Sequence, residues 1–520
     1  MKHSHWRGRS LAFFSAIGIA IGVVASPIHA DPPKTPPTPL DPNSLQKKAE
    51  STPGFTGKWF VQLASKPTIS GGSPQAISSQ QKTFGSDVSS RVQVTEKHSR
   101  LWNGVVVKTD KAGLEEVVKA SNVKAVFPVL SVAMPKNQKS KVLPQMRRAG
   151  AMTGVPYAHK ELGLTGKGMK IGIIDTGIDI DHPAFGGSGT PGSATFPTAK
   201  VVAGYDFVGD RYNSDINSDA YDPNPVPDSV PNDCHGHGTH VAGIAAGNDP
   251  TTNFRGVAPN ALLGAYRVFG CDGATDTGVM LTAMERASRD GMNVVNMSIG
   301  APYMTWPEYP TAAAADALVN SDVVVTVSQG NEGNYGTFSG SAPAVSPKAI
   351  AVGSVDNNGL LLSTFTTADG ASYTYMPVNA AAAPPTTGSA QLAAYPDGQK
   401  TGAVDLPGKP FEGKVALVAR GNSSFAEKAA AAQADGAVGV LIYNNEDGIV
   451  KASIHPTTDL PVGTITKEQG EKLEGLIAKG AGNSPVITWT DKQEPIVDPD
   501  TATMVSTFSA WGMTADLKLK

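Results

Sequence analysis

From about residue 168 to 355 the sequence alternates short apolar runs with helix-length segments, and this alternation leaves the chain little freedom of fold. Residues 169–174, 261–268, 293–299, 323–327 and 349–355 each read as a buried strand. Between them, residues 277–289 place Val279, Met280, Ala283, Met284 and Ala287 on one helical face, and residues 312–320 form a second helix. Strands of this kind separated by helices predict an α/β fold, a mostly parallel sheet with helices on both faces. Ligand chemistry in such sheets sits outside the carboxyl ends of the strands.

A chain of 520 residues exceeds one compact domain. Residues 1–30 read as a signal peptide: Lys2, Arg7 and Arg9 precede an apolar stretch at 11–24, and Pro27-Ile28-His29-Ala30 ends on a small residue. The alternative is an uncleaved membrane anchor; because the apolar run is short for a span, the protein is expected to leave the cytoplasm and to keep no membrane segment after cleavage. Residues 31–55 begin Asp-Pro-Pro-Lys-Thr-Pro-Pro-Thr-Pro and read as a linker. Residues 56–135 form a small α+β module, with strands at 58–63, 103–107 and 123–128 and helices at 75–92 and 111–120, a split βαβ pattern. The main α/β domain occupies 150–365. Residues 366–495 interrupt it: 373–385 are irregular, and a strand at 413–418, a helix at 425–434 and a strand at 439–443 make a βαβ insert. Residues 496–520 return to the main domain. The net charge of −3 provides no basic field for nucleic acid. No Gly-x-Gly-x-x-Gly follows a strand at the right place and no P-loop is present, which sets nucleotide binding aside.

Two segments carry chemistry. In Ile173-Ile174-Asp175-Thr176-Gly177-Ile178-Asp179 a carboxylate ends a buried apolar strand, which is costly unless a partner meets it. In His235-Gly236-His237-Gly238-Thr239-His240 a histidine opens a helix of small residues that permits close packing. Together they suggest nucleophilic acyl transfer, in which a base takes a hydroxyl proton and a buried carboxylate fixes the tautomer of that base. A third segment, Val325-Thr326-Val327-Ser328-Gln329-Gly330-Asn331-Glu332-Gly333, runs a buried strand into a Gly-flanked Asn. Such an amide can donate to an oxyanion, and losing one donor of this kind costs roughly 10²–10³ in turnover.

In this order the motifs resemble those of the subtilisin-like serine peptidases, the S8 family, over about 168–365 and again from about 504. The resemblance implies that Asp175 and His237 form the charge-relay pair and that Asn331 donates to the oxyanion. The full His-Gly-Thr-His match selects His237 over His235, which becomes a loop residue, while His240 is expected to face the sheet from its helix. Asn296-Met297-Ser298-Ile299-Gly300 is similar to the family's substrate-backbone strand, with Ser298 and Gly300 bordering the pocket. The 56–135 module resembles an inhibitory I9-type, ferredoxin-like propeptide, an intramolecular inhibitor cut off between about 135 and 151, where Arg147-Arg148 is either a dibasic cleavage site or a solvated charge pair. Residues 366–495 resemble a protease-associated domain. Family geometry brings the loops of Cys234 and Cys271 together and implies a disulfide. No cofactor and no catalytic metal is implied. Seven aspartates between 206 and 233 leave structural calcium open, with a solvated loop as the simpler reading.

The family's nucleophile sits in a Gly-Thr-Ser-Met-Ala-like segment, and these residues contain none. The nearest lookalike, Ser339-Gly340-Ser341-Ala342-Pro343, is rejected because it lies in the loop leading to the 349–355 strand. Phe508-Ser509-Ala510-Trp511-Gly512 resembles the stretch upstream of the serine, and the sequence stops at Lys520. The expectation is therefore a secreted serine endopeptidase precursor acting on proteins or peptides, truncated before its serine and inactive as it stands. The alternative is a non-catalytic binding or inhibitory protein on a protease fold.

Overall fold

The computed structural model describes residues 41–135, 146–356, 359–404, 406–421, 423–479, 484–497 and 504–520. The signal segment, the Pro-rich stretch at 31–40 and the window 136–145 lie outside the described residues, as do the side chains of Arg147 and Arg148.

The N-terminal module opens with helix α1 (Pro42–Glu50), capped by Asp41, whose carboxylate accepts from the amides of Asn43 and Ser44 at 3.1 and 3.0 Å. Part of the expected linker is thus ordered, and Ala49 is buried in the module core. Beyond the prolines the composition is that of a helix. Strands β1 (Phe55–Leu63), β2 (Gln93–His98), β3 (Gly104–Lys108) and β4 (Val123–Ala133) form an antiparallel sheet in the order β4-β1-β3-β2, crossed by helices α2 (Pro74–Asp87) and α3 (Lys111–Lys119). This is a βαββαβ unit with four strands where sequence reading gave three. The missed β2, Gln-Val-Thr-Glu-Lys-His, is a polar edge strand with one fully buried residue, His98. Helix α2 ends at Asp87, short of the expected 92, because Val88 is already extended.

The main domain begins with the short helices α4 (Met146–Met152) and α5 (Val155–Lys160). Its six-stranded sheet uses β5 (Lys170–Asp175), β6 (Val201–Asp206), β9 (Leu262–Arg267), β11 (Val294–Met297), β13 (Val324–Ser328) and β15 (Ile350–Val352), all parallel, in the order β15-β13-β11-β5-β9-β6. Helix α6 (His237–Ala246), a small hairpin of β7 (Asn248–Asp249) and β8 (Phe254–Arg255), the outlying strand β10 (Ala274–Asp276), helices α7 (Thr277–Arg289) and α8 (Pro310–Val319), and a two-stranded ribbon of β12 (Ala301–Pro302) and β14 (Ser341–Ala342) complete it. Successive residues of one strand face opposite sides: Ile173 packs with Ala242 and Ala246 of α6, and Ile174 packs with the α7 and α8 side chains. Helices therefore cover both faces, as expected. All five residues assigned to the inner face of α7 are buried. Each large apolar side chain so buried stabilises by roughly 1.5–3 kcal/mol.

The N-terminal module and the main domain share one core. Phe60, Trp102, Val106 and Leu130 pack with Met280, Met284 and Tyr309. Moreover, β10 of the main domain pairs antiparallel with the last residues of β4 and adds a fifth strand to the module's sheet.

Residues 359–497 form a separate unit with its own cores. Strands β16 (Gly359–Thr367), β17 (Ser372–Pro377), β18 (Asn379–Ala382), β19 (Ser389–Ala394), β20 (Val415–Ala419), β21 (Gly439–Tyr443), β22 (Ser453–Ile465) and β23 (Val486–Val497) make one eight-stranded sheet, with helices α9 (Phe425–Ala434) and α10 (Lys467–Lys479). The βαβ unit is β20-α9-β21, with the strands parallel. The stretch 373–385, expected to be irregular, instead carries most of β17 and all of β18: Tyr373 and Tyr375 alternate into the core, a pattern hidden by the following Ala and Pro run. Val355 and Val505 then bridge the two passes of the chain back in the main domain.

Candidate active site

Asp175 is the last residue of β5, and its side chain is fully buried. One carboxylate oxygen, Oδ1, accepts from the Thr176 amide at 2.8 Å and meets Nδ1 of His237 at 2.7 Å. The histidine is delivered by close contact of two backbones. A Cβ at Gly238 would stand 2.2 Å from the carbonyl oxygen of Gly177, so only glycine lets the start of α6 settle on the turn after Asp175. The Gly238 amide donates to Thr176 Oγ1 at 2.8 Å and fixes that approach. Ahead of the helix, Asp233 accepts from the amides of His235 and Gly236 through Oδ1, and from the amide and hydroxyl of Thr239 through Oδ2.

The result is asymmetric. The His237 side chain is 23% exposed and the Asp175 side chain 0%. A carboxylate only accepts, so Nδ1 carries the proton and Nε2 keeps a lone pair. Burial pulls the imidazole pKa down, and the hydrogen bond and charge of Asp175, with Asp233 beyond, outweigh it and hold it above the ordinary 6.5. His240 differs from expectation. It is exposed, because Gly238, Ala242 and Ala246 take the inner face of α6 and His240 lies off that stripe.

Cys234 and Cys271 are joined in a disulfide. Beside it lies Arg267, the buried last residue of β9, which sequence reading passed over. Its guanidinium donates to the carbonyls of Phe269 and Asn232 and pairs with Asp206 at 3.1 Å and Asp210 at 2.8 Å. A charged residue ending an apolar strand is the same signal that marked Asp175. Asp233 was legible as well, as an acidic residue just ahead of a helix start. The acidic loop spends its carboxylates on turns: Asp206 accepts from Val208 and Gly209, Asp222 from Asn224, and Asp228 from Val230. Asp210 approaches both cysteine sulfurs, but sulfurs bonded to each other are no thiolate ligands.

Parallel pairing puts Asp175, Ser298 and Asn331 at one end of the sheet. Met297 of β11 is in register with Ile174 on one side and Val327 of β13 on the other. The strands that lead to Asp175 and Asn331 are thus two spacings, about 10 Å, apart. Asn331 is exposed, and its backbone amide donates to the Glu332 carboxylate at 2.8 Å. Its loop is braced from the C-terminal segment: Ala510 donates to the Gly330 carbonyl, and Gly333 donates to that of Phe508. Ser298 Oγ accepts from Asn296 Nδ2 at 3.1 Å. A Cβ at Gly300 would meet Ser341 Oγ at 2.5 Å, so glycine is needed where the two segments cross. Ser341 is buried and donates to the Ser328 carbonyl at 3.2 Å.

A parallel sheet with a buried carboxylate and a half-open imidazole at its carboxyl end defines a class of α/β proteins equipped for acid–base chemistry. The chain belongs to the subtilase family, whose model matches residues 166–520. The minor extracellular protease Vpr of Bacillus subtilis (strain 168) is 33% identical over 399 residues, 75% of this chain and 46% of that protein. Subtilisin DY of Bacillus licheniformis is 35% identical over 198 residues, 38% of this chain and 60% of that protein. A PII-type proteinase of Lacticaseibacillus paracasei is 27% identical over 480 residues, 82% of this chain and 24% of that protein. The chain spans less than two thirds of the length of each of these relatives. Among the described residues no helix is long and apolar enough to cross a membrane.

Proposed function

We propose that this chain belongs to the precursor of a secreted serine endopeptidase. The observation that carries the reading is the 2.7 Å hydrogen bond between buried Asp175 and half-open His237 in a chain of the subtilase family. In this reading Nε2 of His237 takes the proton of a serine hydroxyl as that oxygen attacks the scissile carbonyl, and later returns it to the leaving amine. Asp175 holds the tautomer and stabilises the imidazolium. The side-chain amide of Asn331 donates to the oxyanion of the tetrahedral intermediate. The reading requires a serine at Nε2 of His237, and residues 1–520 hold no Gly-Thr-Ser-type segment. No metal or cofactor enters the reaction.

Protein or peptide substrates lie extended past Ser298 and Gly300 and along the edge of β10. The 56–135 module acts as the propeptide. Its β4 takes the β10 edge, Ser131–Ala133 against Ala274–Asp276, and Glu285 of α7 accepts the three amides of Ser99, Arg100 and Leu101. The unit at 366–495 serves as a protease-associated domain that limits access of large substrates. Export is supported by the leader-like N-terminus, the disulfide and the similarity to a minor extracellular protease.

A fluorophosphonate probe tests the reading on the full-length gene product. Covalent labelling is expected, and it is lost in His237→Ala. An unlabelled, folded protein overturns the enzyme in favour of a binding protein on this fold.

A further inference from the structure

Strand β10 ends in a carboxylate whose counter-charge comes from another domain. The Asp276 side chain is fully buried. Its Oδ1 caps α7, accepting from the amides of Gly278 and Val279 at 2.8 and 3.0 Å. Its Oδ2 accepts from the Tyr212 hydroxyl at 2.9 Å and from the ammonium of Lys58 on β1. Among the described residues Lys58 is the cation paired with it. Burial pushes the Asp276 carboxyl up, and Lys58 together with the Val279 amide and the Tyr212 hydroxyl outweighs that and leaves it below the usual carboxylate range. A buried carboxylate stripped of its cation is strongly disfavoured.

The second observation is the register of β4 on β10. Ser131 stands opposite Asp276, Val132 opposite Thr275 and Ala133 opposite Ala274. Residues opposed in an antiparallel pair share one face, with Cβ atoms roughly 5 Å apart. Ser131 is short, and its hydroxyl reaches Ser214 at 3.0 Å. Asp276 is met instead from the next strand over, β1. A substrate strand laid on the β10 edge in place of β4 has no β1 beside it. Its own residue opposite Asp276 must then supply the charge, and lysine and arginine are long enough.

We propose that Asp276 and Tyr212 form a subsite for a lysine or arginine of the bound peptide, at the position Ser131 holds in β4. Lys58 is the resident stand-in for that side chain. This rests on the reading of the N-terminal module as a removable propeptide.

The probes are peptides copying residues 126–135 with Ser131 unchanged, replaced by Lys, or replaced by Gln. They are measured as inhibitors of fluorophosphonate labelling of the full-length gene product after the N-terminal module is released. The Lys peptide is expected to inhibit at a concentration about tenfold or more below that of the Gln peptide. In Asp276→Asn, which keeps an effective helix cap, the two converge. Equal potency in the unmutated protein overturns the subsite, as does a Lys preference that survives in Asp276→Asn. A protein that stays uncleaved and unlabelled overturns the protease reading and the subsite with it; a cleaved, labelled protein indifferent to the Lys peptide overturns the subsite alone.

Discussion

A single hydrogen bond sets the working pH of the site. The proposed base must be neutral, and Asp175 holds the His237 pKa above 6.5. The labelling rate is therefore expected to rise with pH through a midpoint above 6.5. In Asp175→Asn the midpoint falls, and the rate drops by roughly 10⁴ because an amide holds the wrong tautomer. The same shift has a sign for stability. A raised imidazole pKa contributes stability in full below 6.5, and that contribution is lost as pH rises through the folded value. A rate profile flat from pH 5 to 9, a range of roughly four decades in proton activity, would remove His237 from the reaction. Asn331→Ala is expected to lower the labelling rate about 10²-fold or more while the midpoint stays in place.

Among the elements, the disulfide pins the loop before α6 to the loop after β9, with 37 residues of separation. Closing a loop of that size constrains the unfolded chain by roughly 3–4 kcal/mol. The double variant Cys234→Ser, Cys271→Ser is expected to melt several degrees lower, and an unchanged melting temperature would show that Arg267 and its aspartates suffice. Long apolar strands and the α7 face were legible in the sequence because burial imposes a period. Asp175 and His237 were legible because each sits in a long motif whose small residues permit one close contact. The edge strand β2 was not: a strand half in solvent keeps polar residues and loses its pattern. β6, Val-Val-Ala-Gly-Tyr-Asp, was missed for another reason, a short apolar run broken by Gly204. The pairing of Asp276 with Lys58 was not legible either. It joins residues 218 positions apart, and nothing local at either end records the other. Asp206, Asp222 and Asp228 of the acidic loop accept from backbone amides of their own turns, contacts that composition alone does not reveal.

At the scale of the molecule, two domains behave differently toward the sheet that carries the site. The N-terminal module merges its core with the main domain and reaches the β10 edge. The 359–497 unit keeps its cores to itself. It leaves and rejoins the main domain at neighbouring points: β16 and β23 lie antiparallel from Gly359 opposite Val497 onward, and Val355 bridges Val505 just outside them. Joining those two points by a short turn closes a small loop at little entropic cost. A full-length gene product with 359–497 replaced by such a turn is expected to fold, to keep its fluorophosphonate labelling and to accept larger protein substrates than the parent; loss of labelling would tie the unit to the site itself. With its two ends side by side, the unit is a cassette, and a gene could acquire, exchange or discard it in one recombination event without redrawing the sheet beneath.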